Sequence, residues 1–514
     1  MTNSKSRLAL ASLVGVVGGL VSSLAYASNS IWIAIFVSIG LILYSISIVK
    51  PRQALLVGFI SGVAFYASQI PWMTVYLGPV PWLALSILEG LIFAAGSWVL
   101  ALAFSAMKSW KPSFFGTTSK ALVIASLWTA REWVAMTVPY GGFPWSRVSL
   151  SQSNSPLAPW VFWGGNSLLS FVLVFAVAIL LFGYRDLAFN RWRKSGTVAV
   201  LLAVAVVPAF TPLDNRAEVG TIDIAAVQGN AKAGLLVYEP LGKILQNHLN
   251  ASTPLLSDAS SPDVVVWPEN AADKNPLIYP DAERAISQFV EAVDAPLMFG
   301  TITERDEQIF NSSMLWQPKS GLVDFYDKKR PVAFGEYVPD RAFWRLLAPD
   351  LIDLIPRGYS FGTRDGIFEV ADTKIGTMIC FEVAVDDISR DLVAQGATVL
   401  IAQTNNSDFG TTNQSDQQLA IAKLRAIETG RAFINISTVG TSAVVLPNGE
   451  VVEQLETYTA DVMRHVLPLR TTQTPAMMFG ATLEMANNFA ALGIVLFLTG
   501  SSLLARRRRG VARG

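Results

Sequence analysis

Apolar positions along this chain are gathered into long uninterrupted runs rather than spread evenly. Residues 8–49 contain no Asp, Glu, Lys or Arg, and neither do 53–88 or 148–184. A bilayer core of about 30 Å takes roughly 20 apolar helical residues to cross. Runs of that kind near 8–27, 31–49, 54–72, 81–107, 120–137, 160–183, 195–212 and 486–505 predict eight spans. Lys and Arg near span ends stay on the cytoplasmic side. Basic residues occupy alternate connections: Lys5 and Arg7, Lys50 and Arg52, Lys108 to Lys120, Arg185 to Lys194, and Arg506 to Arg509. The intervening connections near 28–30, 72–80 and 138–159 hold only Arg147. This alternation predicts both termini in the cytoplasm and the long segment after the seventh span outside it. Residues 5–27 imitate a signal peptide, ending in Ala25-Tyr26-Ala27. The apolar stretch is long for one, and the alternation works with it retained, so an uncleaved first span is expected.

From about residue 214 the pattern changes. Short apolar runs at 221–227, 263–267, 296–300, 322–326, 374–380, 398–402 and 442–446 read as strands. They interleave with helical periodicities over 239–250, 281–293, 384–395 and 414–430. Interleaving of this kind predicts an α/β domain of about 260 residues, large enough for its own core. The expected organisation is a membrane domain over 1–213, an extracytoplasmic domain over 214–478, a last span over 479–505 and a basic cytoplasmic tail over 506–514. Glu89, Arg131 and Glu132 fall in or beside apolar spans, where a charge is costly. They read either as an ion pair tying helices together or as polar groups facing a cavity.

Composition narrows the chemistry. Charged residues make up 15% of the 514, against about 25% in ordinary soluble domains. Lys+Arg and Asp+Glu are equal at 39 each, which gives no electrostatic reason to expect nucleic acid as a partner. One cysteine excludes an intrachain disulfide and a Cys-rich zinc site. Two histidines, His248 and His465, leave little material for a histidine triad or a metal cluster. Cys380 itself follows an apolar strand and precedes Phe381 and Glu382. A lone cysteine is commonly a small buried hydrophobe. A strand-end position followed by a turn, in a domain expected outside the cytoplasm, instead suits a nucleophile. A thiol needs a base or a cation beside it. Glu269, in Trp267-Pro268-Glu269-Asn270, and Lys328, in Tyr326-Asp327-Lys328-Lys329, also follow strand candidates. Each alone reads as a solvated loop charge, but three such groups at three strand ends can meet on one rim.

The order Glu, Lys, Cys in Trp-Pro-Glu, Tyr-Asp-Lys and Cys-Phe-Glu settings resembles the nitrilase superfamily. The run VAFGEYVP at 332–339 narrows the likeness. So do Gly142-Phe143-Pro144-Trp145, Ser151-Gln152 and Gly164-Gly165 in the membrane half. Together they resemble the bacterial apolipoprotein N-acyltransferases over nearly the whole chain. The resemblance implies a multi-pass helical membrane domain of about eight spans, carrying a nitrilase-like four-layer α-β-β-α sandwich, in the bacterial plasma membrane. It implies Glu269 as general base, Cys380 as nucleophile, and Lys328 with the backbone N–H of Phe381 as oxyanion donors. Glu336 and Glu382 match acidic positions that support that site. The implied donor is a membrane phospholipid and the implied acceptor the N-terminal diacylglyceryl-cysteine of an apolipoprotein, with no metal and no cofactor. Alternatives are a membrane-tethered amidase or nitrilase-type hydrolase, and a non-catalytic scaffold carrying a nitrilase-like domain.

The chain departs from the family pattern at Ala333, at Phe381, and after Gln228-Gly229-Asn230, where Tyr238 is the nearest aromatic. The stretch 341–361 concentrates Phe343, Trp344, Leu346, Leu347, Leu351, Ile352, Leu354 and Ile355. It reads either as a helix packed on the core or as a mobile apolar lid; Tyr238 and Trp344 are the expected substrate-binding aromatics.

Overall fold

The structure is a computed structural model that describes residues 4–110, 113–186, 191–232, 239–355 and 358–511. Contacts divide the chain into two compact units. One holds Met1–Thr74, Gly78–Thr211 and Met478–Gly514, and the other Val75–Leu77 with Pro212–Met477.

The first unit is helical. Ser4–Ala25, Pro79–Ser109, Trp160–Gly183 and Pro475–Gly500 are long and apolar enough to cross a membrane, and Ala34–Ser47 and Ala199–Phe210 are shorter apolar helices. The Pro51–Gln69 and Phe114–Thr137 helices pack among them. Each of the eight apolar runs therefore coincides with a helix. Pro51–Gln69 lies close against Pro79–Ala106 because Gly58 and Gly62 present no side chain. A Cβ on either would come within 3.0 Å of Ser97 or Phe93. Small residues permit this backbone approach where apolar burial alone gives helices little reason to associate.

Arg131 and Glu132 pair at 3.7 Å, and both are buried. The guanidinium lies over the rings of Phe93 and Trp128 at 4.3 and 4.8 Å and donates to the Tyr66 hydroxyl. The Glu132 carboxylate accepts the Trp128 indole N–H and the backbone N–H of Val148. Of the two readings, the ion pair tying helices together is the one these contacts describe. Gly164 and Gly165 break the Trp160–Asp186 helix, Gly165 with φ at 73°.

The second unit contains two six-stranded sheets. Their strands are β1 Thr221–Gln228, β2 Val264–Val266, β3 Leu297–Arg305, β4 Gln308–Gln317, β5 Gly321–Asp327, β6 Ile367–Val370, β7 Thr373–Ile379, β8 Val399–Thr404, β9 Ala432–Ser437, β10 Ala443–Val445, β11 Val451–Gln454 and β12 Asp461–Pro468. The sheet orders are β12-β1-β2-β3-β4-β5 and β11-β10-β9-β8-β7-β6. β1–β2–β3 and β7–β8–β9 run parallel, and antiparallel strands flank them.

Alternation along β1 shows how the layers form. Ile222, Ile224 and Ala226 face a core shared with Ile375, Ile379, Ile401 and Ile434 of the other sheet. Ala225 and Val227 face outward onto Leu245, Ile286 and Phe289. These last belong to the Lys243–Ala251 and Pro280–Val293 helices. Helices Asp386–Ala394 and Gln414–Thr429 pack on the second sheet. The result is a helix–sheet–sheet–helix sandwich, with period-2 strands buried on both faces.

Strands β4, β6, β9, β11 and β12 have no counterpart among the sequence expectations. β4 reads Gln308-Ile-Phe-Asn-Ser-Ser-Met-Leu-Trp-Gln317, and its polar centre disguises a strand whose middle is buried. Arg425, fully buried, ties this second layer together. It pairs with Asp386 and Glu428 at 2.5 Å each and donates to the Val383 and Ala384 carbonyls. Removing one member of such a buried set leaves uncompensated charge. Arg425→Met should therefore destabilise this unit by about 3–5 kcal/mol, seen as a lowered midpoint in thermal unfolding of the purified protein.

Candidate active site

Parallel strands deliver their carboxyl ends to one edge, where the chain turns and side chains are free to converge. β2 runs into Trp267-Pro268-Glu269, β5 into Lys328, β7 into Cys380 and β8 into Asn405. β3 comes close enough to support the first of these turns because residue 300 is glycine. A Cβ there would sit 2.6 Å from Glu269 Cα, and the Gly300 N–H donates to the Pro268 carbonyl at 3.0 Å.

The charged groups are packed together below the surface. Lys328 is 1% exposed and Glu269 5%. The ammonium lies 2.9 Å from Glu336 and 3.4 Å from Glu269. The Asn311 amide donates one N–H to Glu269 Oε1 at 2.7 Å and one to Glu336 Oε1 at 2.9 Å. Glu336 also accepts the Val332 N–H, within the turn that the 332–337 run forms. The second oxygen of Glu269 accepts the Asn405 N–H at 2.8 Å, and that same N–H reaches the Cys380 sulfur. One backbone donor therefore joins nucleophile and carboxylate.

Cys380 sits on a sharp elbow with φ at 51°, an uncommon conformation for a residue with a side chain. Groups behind it hold the elbow. Glu382 is fully buried; its carboxylate accepts from the Tyr326 hydroxyl and the N–H groups of Ile379 and Arg330. Gln418 donates to the Cys380 carbonyl and accepts from Asn406, whose amide oxygen in turn accepts from Ser437 and Thr404. Glu382 thus lies behind the nucleophile with all its contacts inward, in the place of a positioning residue.

Burial pushes the Cys380 thiol up, and the Glu269 carboxylate pushes it further. Burial also raises Glu269, with Glu336 adding to the effect while Lys328 and the Asn311 and Asn405 donors oppose it. Burial disfavours the Lys328 ammonium, yet the two carboxylates outweigh that and hold its pKa above the usual lysine value. The resting arrangement is a neutral thiol beside a carboxylate of raised basicity and a fixed cation. Such a set can move a proton from sulfur to carboxylate during attack on a carbonyl and stabilise the oxyanion that forms.

The structure brings Glu269, Lys328, Glu336 and Cys380 together. Phe381 follows at the start of the Cys380–Ala384 turn. Trp344 packs edge-on against Phe334, which belongs to the Glu336 turn, with centroids 5.3 Å apart. Its helix, Arg341–Leu347, buries none of its residues, so a segment packed into the core does not describe it. Tyr238 lies outside the described residues. Two site groups had no sequence signal. Asn311 reaches the site through the pairing of β4, and Asn405 acts through its backbone.

Comparisons with known proteins agree with this geometry. Residues 18–179 match the family model of the apolipoprotein N-acyltransferase N-terminal domain, and 223–475 match that of carbon-nitrogen hydrolases. An apolipoprotein N-acyltransferase of Mycolicibacterium smegmatis is 31% identical, covering 93% of this chain and 83% of the relative. One from Shewanella oneidensis is 27% identical over 93% of this chain and 94% of the relative. Among solved structures, an amidase from Nesterenkonia sp. aligns at 15% identity over 52% of this chain and 98% of its own, with a TM-score of 0.39. Fold and site define a membrane protein bearing a carbon–nitrogen hydrolase domain of the nitrilase superfamily. The chain belongs to the apolipoprotein N-acyltransferase family.

The packed charges set a pH test. A base must be ionised to act, so kcat/KM falls as pH drops through the raised pKa of Glu269. Glu336→Gln removes a like charge and should move that acid limb to lower pH. Asn311→Asp adds one and should move it higher. A pH–rate series on the purified variants reads both directions; a limb unmoved in both would separate Glu269 from the observed titration.

Proposed function

We infer that this chain transfers a fatty acyl group from a membrane phospholipid to the α-amino group of the N-terminal diacylglyceryl-cysteine of apolipoproteins, through a thioester on Cys380. Family membership supplies the reaction class. The observation that carries the residue roles is a single thiol on a strained strand-end elbow, sharing one backbone donor with a buried glutamate.

In the first half-reaction Glu269 takes the thiol proton as sulfur attacks the donor's ester carbonyl. Lys328, with the backbone N–H of Phe381, stabilises the developing oxyanion, commonly the largest electrostatic contribution to such a step. Glu269 then returns the proton to the leaving alkoxide, and lysophospholipid departs. In the second half-reaction the acceptor amine attacks the thioester. Covalent double displacement predicts ping-pong kinetics. Glu336 fixes the Lys328 ammonium, and Glu382 holds the elbow.

The domain organisation proposed with this reaction is a membrane domain over 1–213, a catalytic domain over 214–478, a last span over 479–505 and a tail over 506–514. Eight spans place both termini in the cytoplasm and the catalytic domain outside. The alternation of basic loops supports that topology. Confinement of donor and acceptor to one leaflet would reduce the search and orient both reactants. Phe343, Leu346 and Leu347 stand 56%, 83% and 65% exposed on the Arg341–Leu347 helix beside the site turn. An apolar surface there suits lipid chains, and we read the 341–361 stretch as a lid for them.

Intact-protein mass after incubation with phosphatidylethanolamine vesicles tests the reading. Wild type should carry one acyl adduct, and Cys380→Ala none. Glu269→Gln should fold normally while acylation falls by about 10²- to 10⁴-fold. Fatty acid released with no N-acylated lipopeptide would indicate a hydrolase instead.

A further inference from the structure

One ionisable group near the site has no part in the mechanism above. Asp408 lies in the Ser407–Phe409 turn, three residues beyond Asn405, whose N–H binds Glu269 at 2.8 Å. The turn is tightly held. The Asn405 side-chain oxygen accepts both the N–H and the hydroxyl of Ser407, and the Phe409 N–H donates to the Asn406 carbonyl. The Asp408 side chain is half-buried, and among the described residues no Lys, Arg or His pairs with it. The groups facing it are Glu336 and Tyr359. Tyr359 is anchored in the same place, its N–H donating to the Glu336 carbonyl at 2.8 Å. Behind them lie Glu269, Lys328 and Cys380. This edge of the site therefore sets three carboxylates, Glu269, Glu336 and Asp408, against one ammonium. Lys328 is committed to Glu269 and Glu336, which leaves Asp408 without a counter-charge.

A half-buried carboxylate held without a cation keeps affinity for one, since burial and a like charge both disfavour its anion until a cation arrives. The substrates supply one candidate. An α-amino group has a pKa of about 7.7–8.0, so the acceptor reaches the enzyme largely as an ammonium. Nitrogen in that form has no lone pair to attack a thioester.

We propose that Asp408 receives the α-ammonium of the acceptor and takes the proton that frees it for attack. The inference rests on the acyltransferase reading above. The ammonium gives one proton to the Asp408 carboxylate. The nitrogen lone pair then forms the C–N bond at the thioester carbonyl, and the C–S bond breaks with its electron pair on the Cys380 sulfur. The second nitrogen proton passes through Glu269 to that sulfur, restoring the thiol, and Asp408 releases its own proton to solvent. The donor phospholipid brings no such requirement, so Asp408 acts in the second half-reaction alone.

The test separates the two half-reactions in the full-length protein in detergent. Acyl-enzyme is formed with phosphatidylethanolamine and followed by intact mass. It is then chased with a synthetic diacylglyceryl-cysteinyl peptide bearing a free α-amine. In Asp408→Asn, acyl-enzyme should form at close to the wild-type rate, while the chase at pH 7 slows by about tenfold or more. The deficit should shrink toward pH 9, where the amine is neutral unaided, and Asp408→Glu should recover most of the pH 7 rate. A chase at the wild-type rate overturns the proposal. So does an equal loss in both half-reactions, or a deficit that does not change with pH, because either marks a structural role. Failure of wild type to form any acyl-enzyme would instead remove the underlying acyltransferase reading.

Discussion

A lysine ammonium buried to 1% exposure has few places to exist, and here it exists because two carboxylates reach it. Taking an ion out of water costs several kcal/mol, recovered only where geometry and further hydrogen bonds are good. Lys328, Glu269 and Glu336 satisfy this jointly. Asn311 donates to both carboxylates, while Val332 and Asn405 supply backbone donors to the remaining oxygens. None of the three charges is stable there alone. The site is therefore a mutually dependent set whose members come from three separate turns, and the two sheets must pair correctly before it can form.

The same dependence explains how the thiol is kept ready without being ionised at rest. Burial and Glu269 hold Cys380 protonated, and Glu269 is raised by burial and by Glu336. The proton is thus shared between two groups whose affinities have been pushed in the same direction, which keeps the transfer from being steeply uphill. The elbow that presents the sulfur is strained, and the structure around it is dense. Glu382 fills the space behind it with three kinds of donor, Gln418 holds its carbonyl, and Arg425 clamps the two carbonyls that follow. Such over-determination is what allows a sparsely populated backbone conformation to persist.

The two units solve burial differently. In the α/β unit, strands alternate between an inter-sheet core and helix-facing sides, and polar groups inside are paired into networks. In the helical unit, small residues let Pro51–Gln69 approach Pro79–Ala106, and the Arg131–Glu132 pair is covered by aromatic faces. A charged pair in an apolar bundle carries the same requirement as Lys328, for partners on every side.

The amino-acid sequence by itself determined where the helices of the first unit lie, because burial in an apolar medium demands unbroken apolar runs. It also determined the places of Glu269, Lys328 and Cys380 at strand ends, because strand and turn are written in local periodicity and composition. The boundaries of β1, β5, β7 and β8 agree with those expectations to within a residue or two. Asn311 belongs to a strand whose polar centre hides its period, and it bears on Glu269 from 42 positions away only through the register of β4. Asn405 acts through a main-chain N–H that every non-proline residue owns. Glu382, adjacent to the nucleophile in the chain, turns away from it because Tyr326 and two backbone donors lie behind the elbow. These assignments are tertiary: they depend on which strands become neighbours, and hydrogen bonds between such distant segments leave no periodic trace in the chain.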